Sequence, residues 1–127
     1  MSNDELFQYI FDNLFDLLPL KWEELIFYAE YGNNSYSMEF YVKEAGKGFA
    51  KCFEIPEINR KLLLARFMNI DKKIKVIRKE LKKNECWTNL TMSVLKSGKM
   101  KTDFDYTDLT VDSYIYKETW KKKYLEK

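Results

Sequence analysis

The sequence predicts an α+β fold in which a single antiparallel β-sheet of about five strands packs with three helices. Two observations predict the sheet: apolar and polar residues alternate with period two in two stretches, and a turn containing glycine interrupts each stretch. In three other stretches, apolar or aromatic residues recur every three or four positions, which predicts helices. We therefore expect one domain over residues 1–127, with two hairpins, a short strand, an N-terminal helix, a long central helix and a C-terminal helix. We expect the helices to cover one face of the sheet.

The first predicted helix spans residues 3–18. Ser2 and Glu5 have the spacing of a capping box, and Pro19 marks the stop. The helix carries a wide apolar stripe, which predicts packing on the core and leaves open a dimer face. The stripe consists of Phe7, Ile10, Leu14, Leu17 and Leu18, widened by Leu6, Phe11 and Phe15.

Residues 23–43 are predicted to form the first hairpin, with its turn at Gly32-Asn33-Asn34. Leu25, Phe27, Ala29 and Tyr31 alternate with more polar residues, and Met38, Phe40 and Val42 continue the period. Ile26, Tyr28 and Tyr41 fall on the opposite face, which predicts that this face is partly covered. Residues Phe49 to Ile55 are predicted to form a short edge strand closed by Pro56.

The longest predicted helix spans residues 57–84. Its apolar stripe is formed by Leu63, Phe67, Ile70, Ile74, Ile77 and Leu81, spaced by four and three residues in turn. The rest of the surface is rich in lysine and arginine. It is either a solvated face or one that binds phosphates or acids. Aromatic residues are not interleaved with the lysines, which counts against nucleic-acid binding.

Residues 86–106 are predicted to form the second hairpin, around a three-residue loop, Lys96-Ser97-Gly98, with Gly98 left-handed. This register pairs Leu90 with Phe104 and Val94 with Met100 on an apolar face. It pairs Asn89 with Asp105 and Thr91 with Asp103 on the other. A slip of one residue would exchange the faces, so burial selects this register. The polar, acidic face is then either solvated or a partner surface.

The C-terminal helix is predicted to begin at Asp112 or Ser113 and to run to about Leu125, after a linker from Asp108 to Asp112. Tyr116, Trp120 and Tyr124 are spaced i, i+4 and i+8, so they share one face of the helix. We expect this aromatic ridge to pack on the sheet; an exposed ridge would instead be an interface anchor.

Composition restricts the chemistry. The chain has no histidine, which removes histidine-based catalysis and any zinc site that contains histidine. Its net charge of +2 is too small to demand nucleic acid as a partner. Cys52 and Cys86 have no motif spacing and are predicted to be reduced packing residues. No apolar run approaches the ~20 residues of a membrane span, and no basic region precedes the first apolar segment, so we expect no signal peptide.

We predict neither an enzyme nor a cofactor, metal, membrane or small-molecule partner. Asp103 and Asp105, about 7 Å apart by strand rise, leave a carboxylate-based enzyme as an alternative.

Three stretches together carry a resemblance that covers nearly the whole chain. They are Leu18-Pro19-Leu20-Lys21-Trp22-Glu23-Glu24, then Trp87-Thr88-Asn89 with Ser97-Gly98 and Asp103-Phe104-Asp105-Tyr106, and last Trp120-Lys121-Lys122-Lys123-Tyr124-Leu125. The chain resembles the YezG/EsaG type of bacterial immunity protein, the antitoxin partners of type VII-secreted nuclease toxins. It departs from that family in its long helix, which is lysine-rich where members usually carry an acidic one.

The resemblance implies a cytoplasmic inhibitor that binds the nuclease domain of a cognate toxin in the producing bacterial cell. Exposed acidic residues can mimic phosphates toward a basic nuclease cleft. We therefore expect the partner-binding residues to include Asn89, Thr91, Asp103, Asp105 and Asp108. The alternative is a nucleic-acid-binding or orphan interaction module that uses the basic helix 57–84. A homodimer is left open.

Overall fold

The computed structural model describes residues 2–32 and 35–126, and within them it confirms the α+β fold class. One antiparallel sheet has the strand order β3-β2-β1-β4-β5. The strands are β1 (Trp22–Gly32), β2 (Ser35–Glu44), β3 (Phe49–Lys51), β4 (Asn89–Leu95) and β5 (Met100–Asp105), and the helices are α1 (Asn3–Leu14), α2 (Arg60–Lys79) and α3 (Leu109–Tyr124). In the turn predicted at Gly32-Asn33-Asn34, Asn33 and Asn34 lie outside the described residues.

Helices α1 and α2 cover one face of the sheet and enclose the main core. The alternation predicted in β1 determines this face, because Leu25, Phe27 and Ala29 all point into it and are fully buried. The helical stripes predicted in α1 and α2 provide the opposing layer: Leu6, Phe7, Ile10 and Leu14 from α1, and Leu63, Phe67, Ile70 and Ile74 from α2.

Helix α3 covers the opposite face, so the expectation that the helices share one face is wrong. Ile26 and Tyr28 are fully buried there, beneath Trp120 and Tyr124 of α3. The prediction that this face is partly covered, and that the aromatic ridge packs on the sheet, is confirmed. Ile26 and Tyr28 are large side chains that are costly to leave in water, and α3 covers them.

The register predicted for the second hairpin is confirmed at every pair. Leu90 lies opposite Phe104, and Asn89 lies opposite Asp105. Gly98 has φ +98°, a conformation that favours glycine over residues with a Cβ atom. The hairpin therefore has an apolar face turned toward α1 and α2 and a polar face turned toward α3.

Four predicted boundaries are corrected. Helix α1 ends at Leu14 and continues as a 3₁₀ turn, Phe15–Leu17, rather than running to residue 18. The third strand ends at Lys51, because Cys52–Glu54 form another 3₁₀ turn. Helix α2 spans Arg60–Lys79 rather than 57–84, since the side chain of Asn59 caps its N-terminus by accepting a hydrogen bond from the Leu62 backbone N–H.

The fourth correction concerns the segment predicted to be a linker before α3. Helix α3 begins at Leu109, and Asp108 caps it by accepting from the Thr110 backbone N–H at 2.9 Å. Asp112 interrupts the helix with non-helical backbone angles, φ −154° and ψ 64°. The helix is therefore kinked close to the position where the sequence predicted its start.

Candidate partner-binding site

The polar face of the second hairpin brings together four of the five predicted site residues. Asn89 and Thr91 of β4 lie opposite Asp105 and Asp103 of β5. Side chains directly opposite one another in an antiparallel pair lie close together on the same face. Sequence alternation thus builds a cluster of two carboxylates, one amide and one hydroxyl.

Helix α3 lies against this cluster, and each residue of its aromatic ridge meets a polar partner there. The Tyr116 hydroxyl donates to Asp105 Oδ2 at 2.7 Å and lies 3.0 Å from Asn89 Oδ1. The Tyr124 hydroxyl donates to Asp103 Oδ2 at 2.6 Å. Because the ridge residues are four apart, they reach successive positions along the strand pair.

The middle contact of the ridge is the most buried. Trp120 Nε1–H donates to Thr91 Oγ1 at 2.9 Å, and both side chains are excluded from solvent. Asn89 is buried as well. Asn89 and Thr91 therefore hold α3 in place from beneath, whereas Asp103 and Asp105 are half-buried and reach the rim.

Asp105 is held in its ionised form. Burial alone would raise its pKa, but hydrogen bonds from Thr107 and Tyr116 outweigh that effect and hold the pKa of Asp105 below its usual value. Burial, together with the hydrogen bond to Asp103, raises the pKa of Tyr124 well above that of a free phenol. Asp105 thus stays charged and Tyr124 stays protonated at neutral pH.

Asp108, the fifth predicted residue, lies outside this cluster. It is exposed at the N-terminus of α3. Hydrogen bonds from the Thr110 side chain and backbone lower the pKa of its carboxyl group. Its structural role is to cap α3, and its charge faces solvent.

A groove separates α3 from the outer part of the β4–β5 pair. One cavity of about 300 Å³ is lined by Asn89, Thr91, Asp103, Asp105 and residues of α3. A neighbouring open cavity of about 460 Å³ shares Asp103 and Tyr124 with it and is also lined by Lys99 and Lys101. Helix α3 therefore leaves the margin of the sheet along β5 uncovered.

A second polar cluster under α3 was not predicted. Lys117 Nζ lies 2.7 Å from Glu39 Oε1, and Tyr41 donates a short hydrogen bond to the same carboxylate. Burial alone would raise the pKa of Glu39, but the hydrogen bonds from Lys117 and Tyr41 hold it below its usual value. The Lys117 ammonium also lies 3.8 Å from the centre of the Tyr28 ring. The appearance of Glu39 and Tyr41 on the same face as Tyr28 was the only sequence signal for this cluster.

The basic residues of α2 differ in their roles. Arg66 and Arg78 are structural: Arg66 forms a bidentate ion pair with Asp16, at 2.7 and 2.9 Å, and Arg78 packs on the rings of Tyr31 and Trp87. The exposed lysines of α2 are Lys61, Lys72, Lys75 and Lys79. Lys75 also pairs with the buried Asp71 at 2.9 Å.

Neither a metal-binding cluster nor a disulfide is found in the part of the chain that the structure describes. No group of three or more cysteine, aspartate or glutamate residues in that part could hold a metal ion. Cys52 and Cys86 are not joined by a disulfide, and burial raises the pKa of the Cys52 thiol to about 11. None of the described helices is long and apolar enough to cross a membrane.

Comparison with known proteins gives one family. A family model described as "Immunity protein YezG-like" matches residues 3–127. The chain is 29% identical over 111 residues to the immunity protein YezG of Bacillus spizizenii strain W23, covering 83% of this chain and 69% of that protein. It is 26% identical over 141 residues to the immunity protein YezG of Bacillus subtilis strain 168, covering 95% of this chain and 86% of that protein.

Proposed function

This chain belongs to the YezG-like family of immunity proteins, and we propose that it binds and neutralises a cognate nuclease toxin, secreted by a type VII system, in the cytoplasm of the bacterium that makes both. The observation that carries the proposal is the family match over residues 3–127. An immunity protein acts by binding its toxin, so the proposal needs a protein surface and no catalytic centre. We propose that the chain is not an enzyme.

The charge distribution supports a basic partner. Residues 102–116 contain Asp103, Asp105, Asp108 and Asp112 but neither lysine nor arginine. The surface around the end of β5 and the start of α3 is therefore acidic, although Lys99 and Lys101 lie at the beginning of the strand and the chain as a whole has a net charge of +2. A nuclease binds the phosphates of its substrate through positive charge, and an acidic surface of this kind complements it.

We propose that Asp103, Asp105 and Asp108 contact the toxin directly. Their side chains are exposed or half-buried. Asn89 and Thr91 contribute to the same surface indirectly, because they hold α3 against the strands through Tyr116 and Trp120. Pre-ordered carboxylates lose less conformational entropy on binding than mobile ones would, which favours tight association.

The test is a nuclease-protection experiment. The nuclease domain of a type VII-secreted toxin is expressed with and without this protein, and chromosomal DNA integrity and cell survival are scored. We expect protection and a stable complex of the two chains. A well-folded protein that protects against none of several such nucleases would remove the proposal.

The proposed surface needs its own variant. The triple substitution Asp103→Asn, Asp105→Asn and Asp108→Asn removes three charges while keeping the hydrogen-bond acceptors, including the helix cap. We expect association with the toxin to slow by about tenfold or more at low salt. The matched control removes three charges from α1, by Asp4→Asn, Glu5→Gln and Asp12→Asn, and should associate at the wild-type rate. Equal rates for the two triple variants would rule out the surface and leave the function standing.

The exposed lysines of α2 support a second candidate, direct binding of nucleic acid. Tyr9 and Tyr36 lie against Lys73 and Lys75, with ammonium-to-ring distances of 4.9 and 5.3 Å, so aromatic rings are present beside the basic face after all. This candidate predicts affinity for DNA or RNA that falls steeply with salt. Absence of binding at low salt would eliminate it.

A further inference from the structure

Strand β5 is a sheet edge whose outer backbone groups can be identified. It ends the strand order, and among the described residues no strand pairs with its outer side. The Leu95 N–H donates to the Lys99 carbonyl at 2.9 Å. Because hydrogen-bonded pairs alternate along an antiparallel ladder, Lys101 and Asp103 also bond toward β4. The backbone groups of the even-numbered residues 100, 102 and 104 therefore point away from the sheet.

The residues along this edge form a charge pattern that complements itself when reversed. The segment reads Lys99-Met100-Lys101-Thr102-Asp103-Phe104-Asp105, with two lysines before its centre and two aspartates after it. The four charged residues share the face toward α3, and Met100 and Phe104 share the other face. We propose that a second copy of this chain pairs with β5 in antiparallel orientation, centred on Thr102, so that the two sheets join into one of ten strands.

Every contact across this two-fold axis is favourable. Lys101 lies opposite Asp103 of the other copy, and Met100 lies opposite Phe104 of the other copy. Lys99 lies opposite Asp105. The outward N–H and C=O groups of residues 100, 102 and 104 bond to those of residues 104, 102 and 100. Opposite charges directly across an antiparallel pair stabilise it, as do paired apolar residues.

The same pattern disfavours other registers. A slip of two residues in one direction places Lys101 opposite Lys101 and keeps only Lys99 opposite Asp103. A slip in the other direction places Asp103 opposite Asp103 and keeps only Lys101 opposite Asp105. Parallel pairing in the central register would also oppose like charges. Like charges directly opposite one another destabilise a strand pair. The central antiparallel register has four pairs of opposite charge and none of like charge, so the pattern favours it over the others.

The surroundings of β5 leave room for a second strand. The open cavity beside α3 is lined by Lys99, Lys101 and Asp103, so these side chains are reachable beside the helix, while Asp105 is half-buried where it accepts from Tyr116. The other sheet edge offers no equivalent, since β3 has three residues and ends in a 3₁₀ turn. The proposal rests on the fold and this charge pattern alone, and it does not depend on the toxin. Dimerisation would compete with any partner that binds Asp103.

Sedimentation velocity over a wide range of protein concentration tests the proposal. We expect a reversible dimer that dissociates on dilution. Lys101→Asp places an aspartate opposite Asp103 of the other copy in each half of the interface. It should therefore raise the dissociation constant by about tenfold or more. The double variant Lys101→Asp/Asp103→Lys restores opposite charges and should recover the dimer. Lys72→Asp on α2 is the matched control and should dimerise like the wild type. A wild-type protein that remains monomeric, or a dimer unaffected by Lys101→Asp, would overturn the proposal.

A cross-link tests the register without relying on charge, and guards against a double variant that fails because Asp103 no longer accepts from Tyr124. In the proposed pair the two Thr102 residues are hydrogen-bonded partners with Cα atoms about 5.5 Å apart, within the range that a disulfide spans. In a background where Cys52 and Cys86 are replaced by alanine and folding is verified, Thr102→Cys should form a disulfide-linked dimer on mild oxidation. Lys101→Cys should not, because its two copies are not opposite. Equal cross-linking at the two positions would contradict the register.

Discussion

The indole N–H of Trp120 donates to the hydroxyl of Thr91, 29 residues earlier in the chain, at a distance of 2.9 Å, and both side chains are buried. This contact joins the middle of the aromatic ridge to the middle of the polar hairpin face. The aromatic ridge and the polar hairpin face were each predicted from a separate stretch of sequence, and this hydrogen bond shows that they pack against each other.

The first prediction tests that contact. Thr91→Val keeps the shape of the side chain but leaves the Trp120 N–H without its acceptor in a buried site, so we expect it to lower the free energy of unfolding by about 1–3 kcal/mol. Trp120→Phe removes the donor and should also destabilise. The double variant lacks both polar groups. Its loss in the free energy of unfolding, measured with urea, should be smaller than the sum of the losses in the two single variants. Strictly additive losses would argue against the hydrogen bond.

The second prediction concerns acid sensitivity. Hydrogen bonds from Lys117 and Tyr41 hold the pKa of Glu39 below its usual value of 4.5. A carboxyl group whose pKa is lower in the folded state contributes stability above its unfolded pKa and loses that contribution as the pH falls through the folded pKa. Glu39→Gln should therefore cost about 1.5–3 kcal/mol at neutral pH, the range for hydrogen bonds to charged groups. The difference in the free energy of unfolding between this variant and the wild type should narrow as the pH falls below 4.5. Urea unfolding at a series of pH values measures that difference. A gap that is constant with pH would contradict the role assigned to the Glu39 charge.

The third prediction compares two glycines. Gly98 has φ +98°, whereas Gly48 does not lie in the left-handed region, and a Cβ atom at either position would meet open space. Gly98→Ala should destabilise the protein by about 1 kcal/mol or more through backbone strain alone. Gly48→Ala is the matched control and should be neutral or slightly stabilising. Thermal unfolding of both variants measures this difference. Equal changes in the unfolding temperature at the two positions would contradict the turn assigned to Gly98.

The fourth prediction concerns the two thiols. Cys52 is buried, with its pKa raised to about 11 by burial, while Cys86 is partly accessible. Iodoacetamide at mildly alkaline pH should modify Cys86 first and leave Cys52 intact until the protein is unfolded. Mass spectrometry of peptides after timed labelling distinguishes the two sites. Faster modification of Cys52 would show that its surroundings open more readily than the rest of the core.

Local patterns predicted the strands and the register of the second hairpin well. The alternation of Leu90, Met92 and Val94 with polar residues, together with the loop that ends at Gly98, left one register that buries the apolar side chains. The spacing of Tyr116, Trp120 and Tyr124 likewise predicted a ridge that packs on the sheet. Information of this kind is contained within a single hairpin or a single helix.

The local sequence pattern did not predict which face of the sheet α3 covers. Asn89 and Thr91 are polar, and a polar residue in an alternating strand usually faces water. Here the hydroxyl and indole groups of the ridge satisfy them, so the polar pattern marks a buried interface. The pair of Glu39 and Lys117 is 78 residues apart in the chain, and no spacing rule links residues at that distance.

The position of α3 also has a consequence for the order in which the protein is made. A chain released from the ribosome as far as Leu95 contains β1, β2, β3 and β4, together with the two helices of the main core. Ile26 and Tyr28 of that chain still face water, because Trp120 and Tyr124 have not yet emerged. A partly synthesised sheet with an exposed apolar face is prone to aggregate and to be bound by chaperones. Among the described helices, the one synthesised latest is thus the one that buries Ile26 and Tyr28, and a chain that stops before it keeps them exposed.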